Sequence, residues 1–491
     1  MAKLSVMTSN LVLPANLGLF YGGQWHEPMS GRSTPIHSAA TGEEMTRIAV
    51  ADAQDVDAAV AAARKGFAEW RHVRPLERAR ILKALSSAIR ENAGQIAYLD
   101  AADGGNPIVN VESDIAMAAG LLDYFAGLVT EMKGETIPMG PDAVNYTVRE
   151  PKGVVARIAA FNHPFLFAAS RLAAPLAAGN AVILKPAEQA PLSGIRLAEL
   201  CEGLFPAGVV NILNGDKEAG AALATHPGVD MVTLVGSIPT GRAIMRAASD
   251  TLKHVLFELG GKNALIAYPD VDVEKVADGI VAGMNYTWCG QSCGSTSRVF
   301  LHDDIYDQVI PLLASRAARF KPGFPLNRNT TMGSIVSKAQ HERILSYIES
   351  AKSEGARLLC GGSWPGDPDL ADGFYIEPTI FADVTPDMRI AREEIFGPVQ
   401  AISRWSDESA MFAQVNALEY GLTAAIFTKN LNLAHRAAAR VESGYVWINT
   451  VGHHFLGAPF GGYKQSGIGR EECLSELYSF SQEKNVHIAL E

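Results

Sequence analysis

Cys293 stands in NYTWCGQSCGSTSR (residues 285–298), after Gly290-Gln291-Ser292 and before Gly294-Ser295. Small neighbours on both sides let a backbone N–H and a thiol reach the same ligand atom. Such a thiol becomes a nucleophile when a base or a lowered pKa activates it. A buried structural cysteine explains this segment equally well. Cys289, at i, i+4, could be a redox partner only on a helix or across a bend. In FELGGKNALIAY (257–268), Glu258 ends the apolar run Val255-Leu256-Phe257 and precedes Leu259, Gly260 and Gly261. Desolvation there raises a carboxyl toward the working range of a general base. An exposed strand-end Glu is the plainer alternative. Asn162 lies at a strand end just before a helix. Its amide could donate to a developing oxyanion, although Asn before a helix is usually a cap.

A second group of residues suits a nucleotide. Lys185 and Glu188 follow a strand and together can bind ribose hydroxyls; solvated loop charge is the bland alternative. In LVGSIPTGRAI (234–244) a strand ends in Gly236-Ser237 and a helix starts near Pro239. Helix N-termini favour phosphate, glycine permits close approach, and proline suits the first turn. This is not the G-x-G-x-x-G fingerprint, and an ordinary strand-to-helix turn reads the same way. Asn214-Gly215 closes another strand. EEIFGPV (393–399) places Glu394 and Phe396 before a Gly-Pro turn, and PFGGYKQSGIGR (459–470) is a glycine-rich loop containing Phe460.

The elements that must position these residues are legible as alternation. VVARIAA (154–160), AVILK (181–185), VVNIL (209–213), MVTLV (231–235) and ALIA (264–267) are short apolar runs. Helical stretches at 165–178, 191–204, 216–225 and 238–250 lie between them. Nearly continuous apolar strands imply a parallel sheet covered on both faces. Ligands bind beyond the C-terminal ends of such strands. Upstream, helices are expected over 52–70, 75–98 and 112–132. From about 262 to 450 a second alternating region runs through RVFLH (298–302), helices 304–320 and 338–354, FYIEPTIF (374–381), TAAIFT (423–428) and YVWIN (445–449). VNYTVREPKG (144–153) and the tail 479–491 read as extended. They could form an arm that pairs with another subunit, since an unpaired edge strand is a liability.

Composition bounds the rest. The chain has 491 residues, 48% of them hydrophobic and 19% charged. That allows a large core and more than one domain. A net charge of −11 argues against a nucleic-acid or acidic-membrane surface. The five cysteines, Cys201, Cys289, Cys293, Cys360 and Cys473, make no disulfide framework and fit a reducing compartment. No zinc-ligand spacing is evident. The N-terminal MAKLSVMTSNLVLPANLGLFYGGQW has no sustained apolar run and fits neither a signal peptide nor a membrane span. A cytoplasmic location is the simplest expectation.

Taken in order, the Asn162 segment, Lys-Pro-x-Glu (185–188), the Gly-Ser turn, Glu-Leu-Gly-Gly (258–261), Gly-Gln-x-Cys (290–293) and Glu-Ile-Phe-Gly-Pro (394–398) resemble the aldehyde dehydrogenase superfamily. The resemblance covers residues from about 18 to 487. It implies an α/β fold with a Rossmann-like cofactor domain (1–133 and 154–261) and a second α/β catalytic domain (262–470). It also implies a small β oligomerisation arm (134–153 and 471–491) in a homodimer or homotetramer. Cys293 matches the nucleophile, Glu258 the base and Asn162 the oxyanion-binding residue. Lys185 and Glu188 match adenosine-ribose contacts, and Gly236 and Ser237 the pyrophosphate turn, with Gly215 on the same strand-end surface. Glu394 and Phe396 match the residues that hold the nicotinamide ribose and ring. The implied reaction oxidises an aldehyde to a carboxylate through a thiohemiacetal and a thioester, which Glu258 hydrolyses. Glu258 favours hydrolysis over transfer to coenzyme A. Glu188 favours NAD over NADP by repelling a 2′-phosphate.

By position, the substrate tunnel includes His163, Phe167, Ser170, Thr287, Trp288, Ser292, Gly294, His453, His454 and Phe460. With Arg171 as the one candidate clamp for a carboxylate, an apolar aromatic or terpenoid-like aldehyde is the leading expectation. Betaine aldehyde follows, because Trp288 and Phe460 could form a cation–π cage, and then a short semialdehyde. The chain departs from the family pattern at Arg171, often Lys, and at Thr287-Trp288, often Phe-Asn. Gln482 stands where many relatives have Glu. A cofactor-free cysteine hydrolase would need a His base beside Cys293, and a crystallin-like structural role would need lost catalytic residues.

Overall fold

The computed structural model describes residues 11–490; the N-terminal ten residues of the segment tested for a leader lie outside them. Two parallel-strand sheets dominate this mixed α/β chain. The first runs, edge to edge, Gly467–Ile468, His254–Glu258, Met231–Val235, Val154–Ile158, Ala181–Lys185, Val210–Ile212, Leu19–Tyr21 and Gln24–His26. Its central strands are buried except at Ile158, as expected for a sheet covered by helices on both faces. Register pairs Val235 with Glu258 and Ile158 with Lys185. Because these strands are parallel, Asn162, Lys185, Gly215, Gly236, Ser237 and Glu258 gather at one end of the sheet.

The second sheet runs Arg357–Cys360, Thr379–Ala382, Val399–Trp405, Arg298–His302, Ala264–Ala267, Thr423–Phe427 and Tyr445–Ile448. Register sets Ala264 level with Arg298 and with Ala424. The Cys293 loop enters Arg298–His302, and the Glu394 turn enters Val399–Trp405. Both therefore lie at the N-terminal ends of the second sheet, facing the C-terminal ends of the first.

Helix Pro164–Ala178 begins with proline in its first turn and is buried on every side. An all-round apolar helix is what full burial requires. It packs against Ile108–Gly127 and the short helix Leu474–Ser479. The expected helix 75–98 is instead two helices, Pro75–Glu91 and Ala93–Gly104. Asn92 divides them: its side-chain amide donates to Ala88 C=O at 2.8 Å, and its backbone leaves the helical range at φ −103, ψ 7. The expected strand 374–381 forms only over Thr379–Ala382. Upstream, Phe374 bonds to Ala39 and Ile335 instead of a sheet neighbour, and Pro378 has no N–H to give. The helix expected at 112–132 spans Ile108–Gly127.

Ser481–Ala489 pairs antiparallel with Ala143–Pro151, which also takes Thr136–Ile137. The two extended segments thus satisfy each other within one chain. Gln482 is exposed and pairs in register with Glu150 on this sheet. No helix among the described residues is long and apolar enough to cross a membrane.

Candidate active site

The loop carrying Cys293 is held by its own backbone demands. Asn285 and Cys289 adopt positive φ, 55° and 54°, around the turn Tyr286–Trp288. At Gly290 (φ +63) a Cβ would stand 2.3 Å from Gly397 C=O, so only glycine fits between the two loops. Gln291 Oε1 accepts from Val336 N–H at 3.1 Å, and Asn285 donates to Ser292 Oγ at 3.1 Å. Thr423 Oγ1 donates to Gly294 C=O at 3.1 Å. Asn263, just beyond the Glu258 motif, donates its amide to Cys293 C=O at 2.6 Å and to Ser295 C=O at 3.0 Å. Its own oxygen accepts from Thr423 N–H at 3.0 Å. These bonds fix the loop of the half-buried Cys293 against the second sheet.

Glu258 is buried and lies within hydrogen-bonding reach of the Cys293 thiol. Burial, then the charge of Glu471, pushes the Glu258 carboxyl up to about 8. The bond from Cys293 and the charge of Arg171 oppose this rise. The thiol is raised well above its ordinary range, first by burial and then by Glu258, Glu394 and Glu472. A neutral thiol beside a carboxyl of this kind can be deprotonated only as it reacts, which is the arrangement of a nucleophile with its general base. Glu258 Oε1 is buried without a hydrogen-bond partner, so one oxygen is free to hold a water. Asn162 is buried just ahead of helix Pro164–Ala178, and its backbone carbonyl accepts from Asn106 Nδ2 at 2.9 Å.

The nucleotide-type residues line the first sheet's end. Lys185 is buried, its Nζ donates to Pro186 C=O at 3.2 Å, and burial lowers its pKa while Glu188 opposes this. Glu188 is exposed. Ser237 caps helix Ile238–Ser249, accepting from Thr240 N–H at 3.4 Å, and the first turn faces outward. Ser237 thus caps a helix whose N-terminus is exposed. Glu394, whose pKa burial raises, accepts from Gly261 N–H at 2.9 Å. A Cβ on Gly260 would lie 2.1 Å from Glu394 Oε2, and one on Gly215 would lie 2.5 Å from Ala219. Phe396, at φ 56°, packs its ring edge-on to Phe161 at 5.6 Å. A buried ammonium, an exposed carboxylate and an outward-facing helix N-terminus at one end of a parallel sheet fit a dinucleotide.

The residues expected on the substrate side fall into two aromatic groups. Trp288 and Phe167 flank His163, with ring centroids at 4.4 and 5.5 Å. Phe460 packs on His454 at 4.4 Å. His453 is exposed. Arg171 is no free clamp: it is buried and bonded to Glu471 at 2.7 Å. Glu471, Glu472 and Glu476 had no signature in the sequence, yet they crowd the site. Arg157 lies 3.5 Å from Glu476 and 3.9 Å from Glu471. Asn263 was likewise unmarked.

Residues 25–486 match the model of the aldehyde dehydrogenase family, and the chain belongs to that family as an oxidoreductase acting on aldehydes. It is 50% identical over 486 residues to the aldehyde dehydrogenase tropH of Talaromyces stipitatus, covering 97% of this chain and 94% of that one. It is 41% identical to a betaine aldehyde dehydrogenase of Brucella anthropi, covering 96% and 97%. Among solved structures, the indole-3-acetaldehyde dehydrogenase AldA of P. syringae, in complex with NAD+ and IAA, superposes with a TM-score of 0.96. Identity there is 33%, with 100% of this chain and 99% of that one covered.

Proposed function

We propose that this chain oxidises an apolar aromatic aldehyde to its carboxylate with NAD, through a thioester on Cys293. The observation that carries the reading is the contact between the Cys293 thiol and the buried Glu258 carboxyl. Glu258 removes the thiol proton as the sulfur attacks the aldehyde carbon. Asn162 and the Cys293 backbone N–H hold the resulting oxyanion. NAD, when bound, supplies the two-electron oxidant. Lys185 and Glu188 would hold its adenosine ribose, Gly215, Gly236 and Ser237 its pyrophosphate, and Glu394 and Phe396 its nicotinamide end. Glu258, once it has released the thiol proton to solvent, activates a water that hydrolyses the thioester. The exposed Glu188 carboxylate would repel a 2′-phosphate, which favours NAD over NADP.

Apolar and aromatic walls from Phe167, Trp288 and Phe460 support an aromatic substrate, with Ser292 and His454 beside them. The P. syringae relative supports NAD by its bound NAD+ and an aromatic aldehyde by its name, indole-3-acetaldehyde dehydrogenase. Betaine aldehyde is the second reading, supported by the Brucella relative. Against it, Trp288, Phe460 and Phe167 each already face His163, His454 or Arg171. A semialdehyde lacks a clamp once Arg171 is paired with Glu471. A cofactor-free hydrolase would need an imidazole base at the thiol, where Glu258 stands.

The same reading divides the chain into a cofactor domain (1–133 and 154–261), a catalytic domain (262–470) and an arm (134–153 and 471–491). The arm would join two or four copies in a reducing, cytoplasmic setting; a monomer by light scattering would remove that role. NADH formation followed by absorbance over an aldehyde panel tests the function, and Cys293→Ala should abolish it. Full turnover in that variant would place the nucleophile elsewhere.

A further inference from the structure

Two imidazoles stand beside the path an aldehyde would take, and the oxidation uses neither. His163 directly follows Asn162, and its Nδ1 lies 2.7 Å from Asp114 Oδ2. His454 precedes the Phe460 loop, and its Nδ1 lies 3.1 Å from Glu472 Oε2. An ionised carboxylate only accepts, so each takes the Nδ1 proton. That fixes the tautomer, so the neutral form of each ring carries its acceptor lone pair on Nε2. Neither Nε2 has a hydrogen-bond partner among the described residues.

One helix links the two. Asp114, Met117 and Leu121 of Ile108–Gly127 stand at i, i+3 and i+7, on one face. The rise between the ends of that row is about 10 Å, the length of an aromatic aldehyde with its substituents. Met117, Gly120 and Leu121 line a cavity of about 190 Å³ with His454, Leu456 and Glu472. A dry cavity of about 150 Å³ accommodates benzene. The charge of Glu472 acts on Cys293 as well as on His454, Arg171 and His163, so cavity and thiol share one neighbourhood.

A plain hydrocarbon ring placed here would cover both Nε2 atoms and leave them unpaired, which is costly. We propose that the tunnel is built for a hydroxylated aromatic aldehyde. A ring hydroxyl donates to Nε2 of His454, and His163 accepts a second hydroxyl beside the Cys293 loop. Asp114 and Glu472 are positioning residues that hold the two rings. The inference rests on the aromatic-aldehyde reading above and narrows it.

The test compares kcat/KM for benzaldehyde, its mono- and dihydroxy derivatives and their methyl ethers. It uses the wild-type holoenzyme, His454→Phe, His454→Gln and His163→Phe, with NAD+ binding by tryptophan quenching as the check on folding. In wild type, at least one hydroxylated isomer should exceed both benzaldehyde and its own methyl ether by about tenfold or more, because an unmatched buried acceptor rejects the analogue. His454→Phe should bring that ratio near one, and His454→Gln, which keeps an acceptor, should restore part of it. If benzaldehyde is oxidised as well as every hydroxylated isomer, or methyl ethers serve as well as phenols, the inference fails and the aromatic reading stands. If the preference survives both Phe variants, the histidines are not its source and the inference fails. If no aromatic aldehyde is oxidised while betaine aldehyde is, the broader reading fails and takes the inference with it. The wild-type comparison decides even where a variant does not fold.

Discussion

The side-chain amide of Asn263 donates to the backbone carbonyl of Cys293 at 2.6 Å. Through that bond the segment carrying Glu258 sets the position of the loop carrying the thiol. Asn263→Ala strands the carbonyls of Cys293 and Ser295 and the N–H of Thr423 at once. Buried groups left unpaired cost about 1–3 kcal/mol each, so thermal unfolding should show a loss of about 3 kcal/mol or more. Turnover should fall more than affinity for NAD+, because Lys185, Glu188, Gly236 and Ser237, the residues proposed to hold its adenosine and pyrophosphate, lie on the other sheet. An unchanged melting temperature and kcat would show that Asn263 does not hold the loop.

On the proposed mechanism, Glu258 should set the pH dependence of turnover. Its carboxyl titrates near 8, so the base form gains population as pH rises through that value. Steady-state turnover should climb through the same window. Glu258→Gln should give a slowed burst of NADH without sustained turnover, since thiol attack and thioester hydrolysis both lose their base. The thiol is raised by burial first and by the Glu258 charge second. The pH midpoint for iodoacetamide alkylation of Cys293 should therefore drop in Glu258→Gln. A midpoint that stays put would separate the two groups electrostatically.

Much of this arrangement could be read beforehand because it depends on local chemistry. Apolar runs forecast the parallel strands, and parallel strands put Asn162, Lys185, Gly236 and Glu258 at one end. Arg171 was different. Its partner Glu471 is reached only because Gly467–Ile468 pairs antiparallel with Phe257 and Glu258. A two-residue strand has no periodicity to detect, so the carboxylates that follow it looked like the start of an arm. Asn263 hid for a related reason: its importance lies in three bonds to distant backbone, not in its neighbours. The break at Asn92 was invisible because apolar spacing continues on both sides of it.

Gly260 tests the cofactor side. Its missing Cβ leaves room for Glu394 Oε2, which would otherwise sit 2.1 Å away from backbone-attached carbon. Gly260→Ala should displace the Glu394 carboxylate and break its bond from Gly261 N–H. KM for NAD+ should rise by about tenfold, equivalent to about 1.4 kcal/mol of lost binding. Chemical reactivity of Cys293 toward iodoacetamide in the absence of NAD+ should change far less. Equal loss of both would mean the substitution disorders the whole site.

The buried pair Arg171–Glu471 should tune the base as well as stabilise the chain. The Glu471 charge raises the Glu258 pKa, and the Arg171 charge lowers it. Glu471→Gln should therefore shift the rising limb of the pH–turnover profile below 8, and Arg171→Gln should shift it higher. Removing one partner of a buried pair typically costs about 3–5 kcal/mol, because the other charge remains buried. Each single variant should lose stability on that scale. The double variant Arg171→Met with Glu471→Leu should recover much of it, since Arg157 and Glu476 can still pair with each other. If both single variants keep the wild-type pH midpoint while losing stability, the pair supports the fold without setting the base.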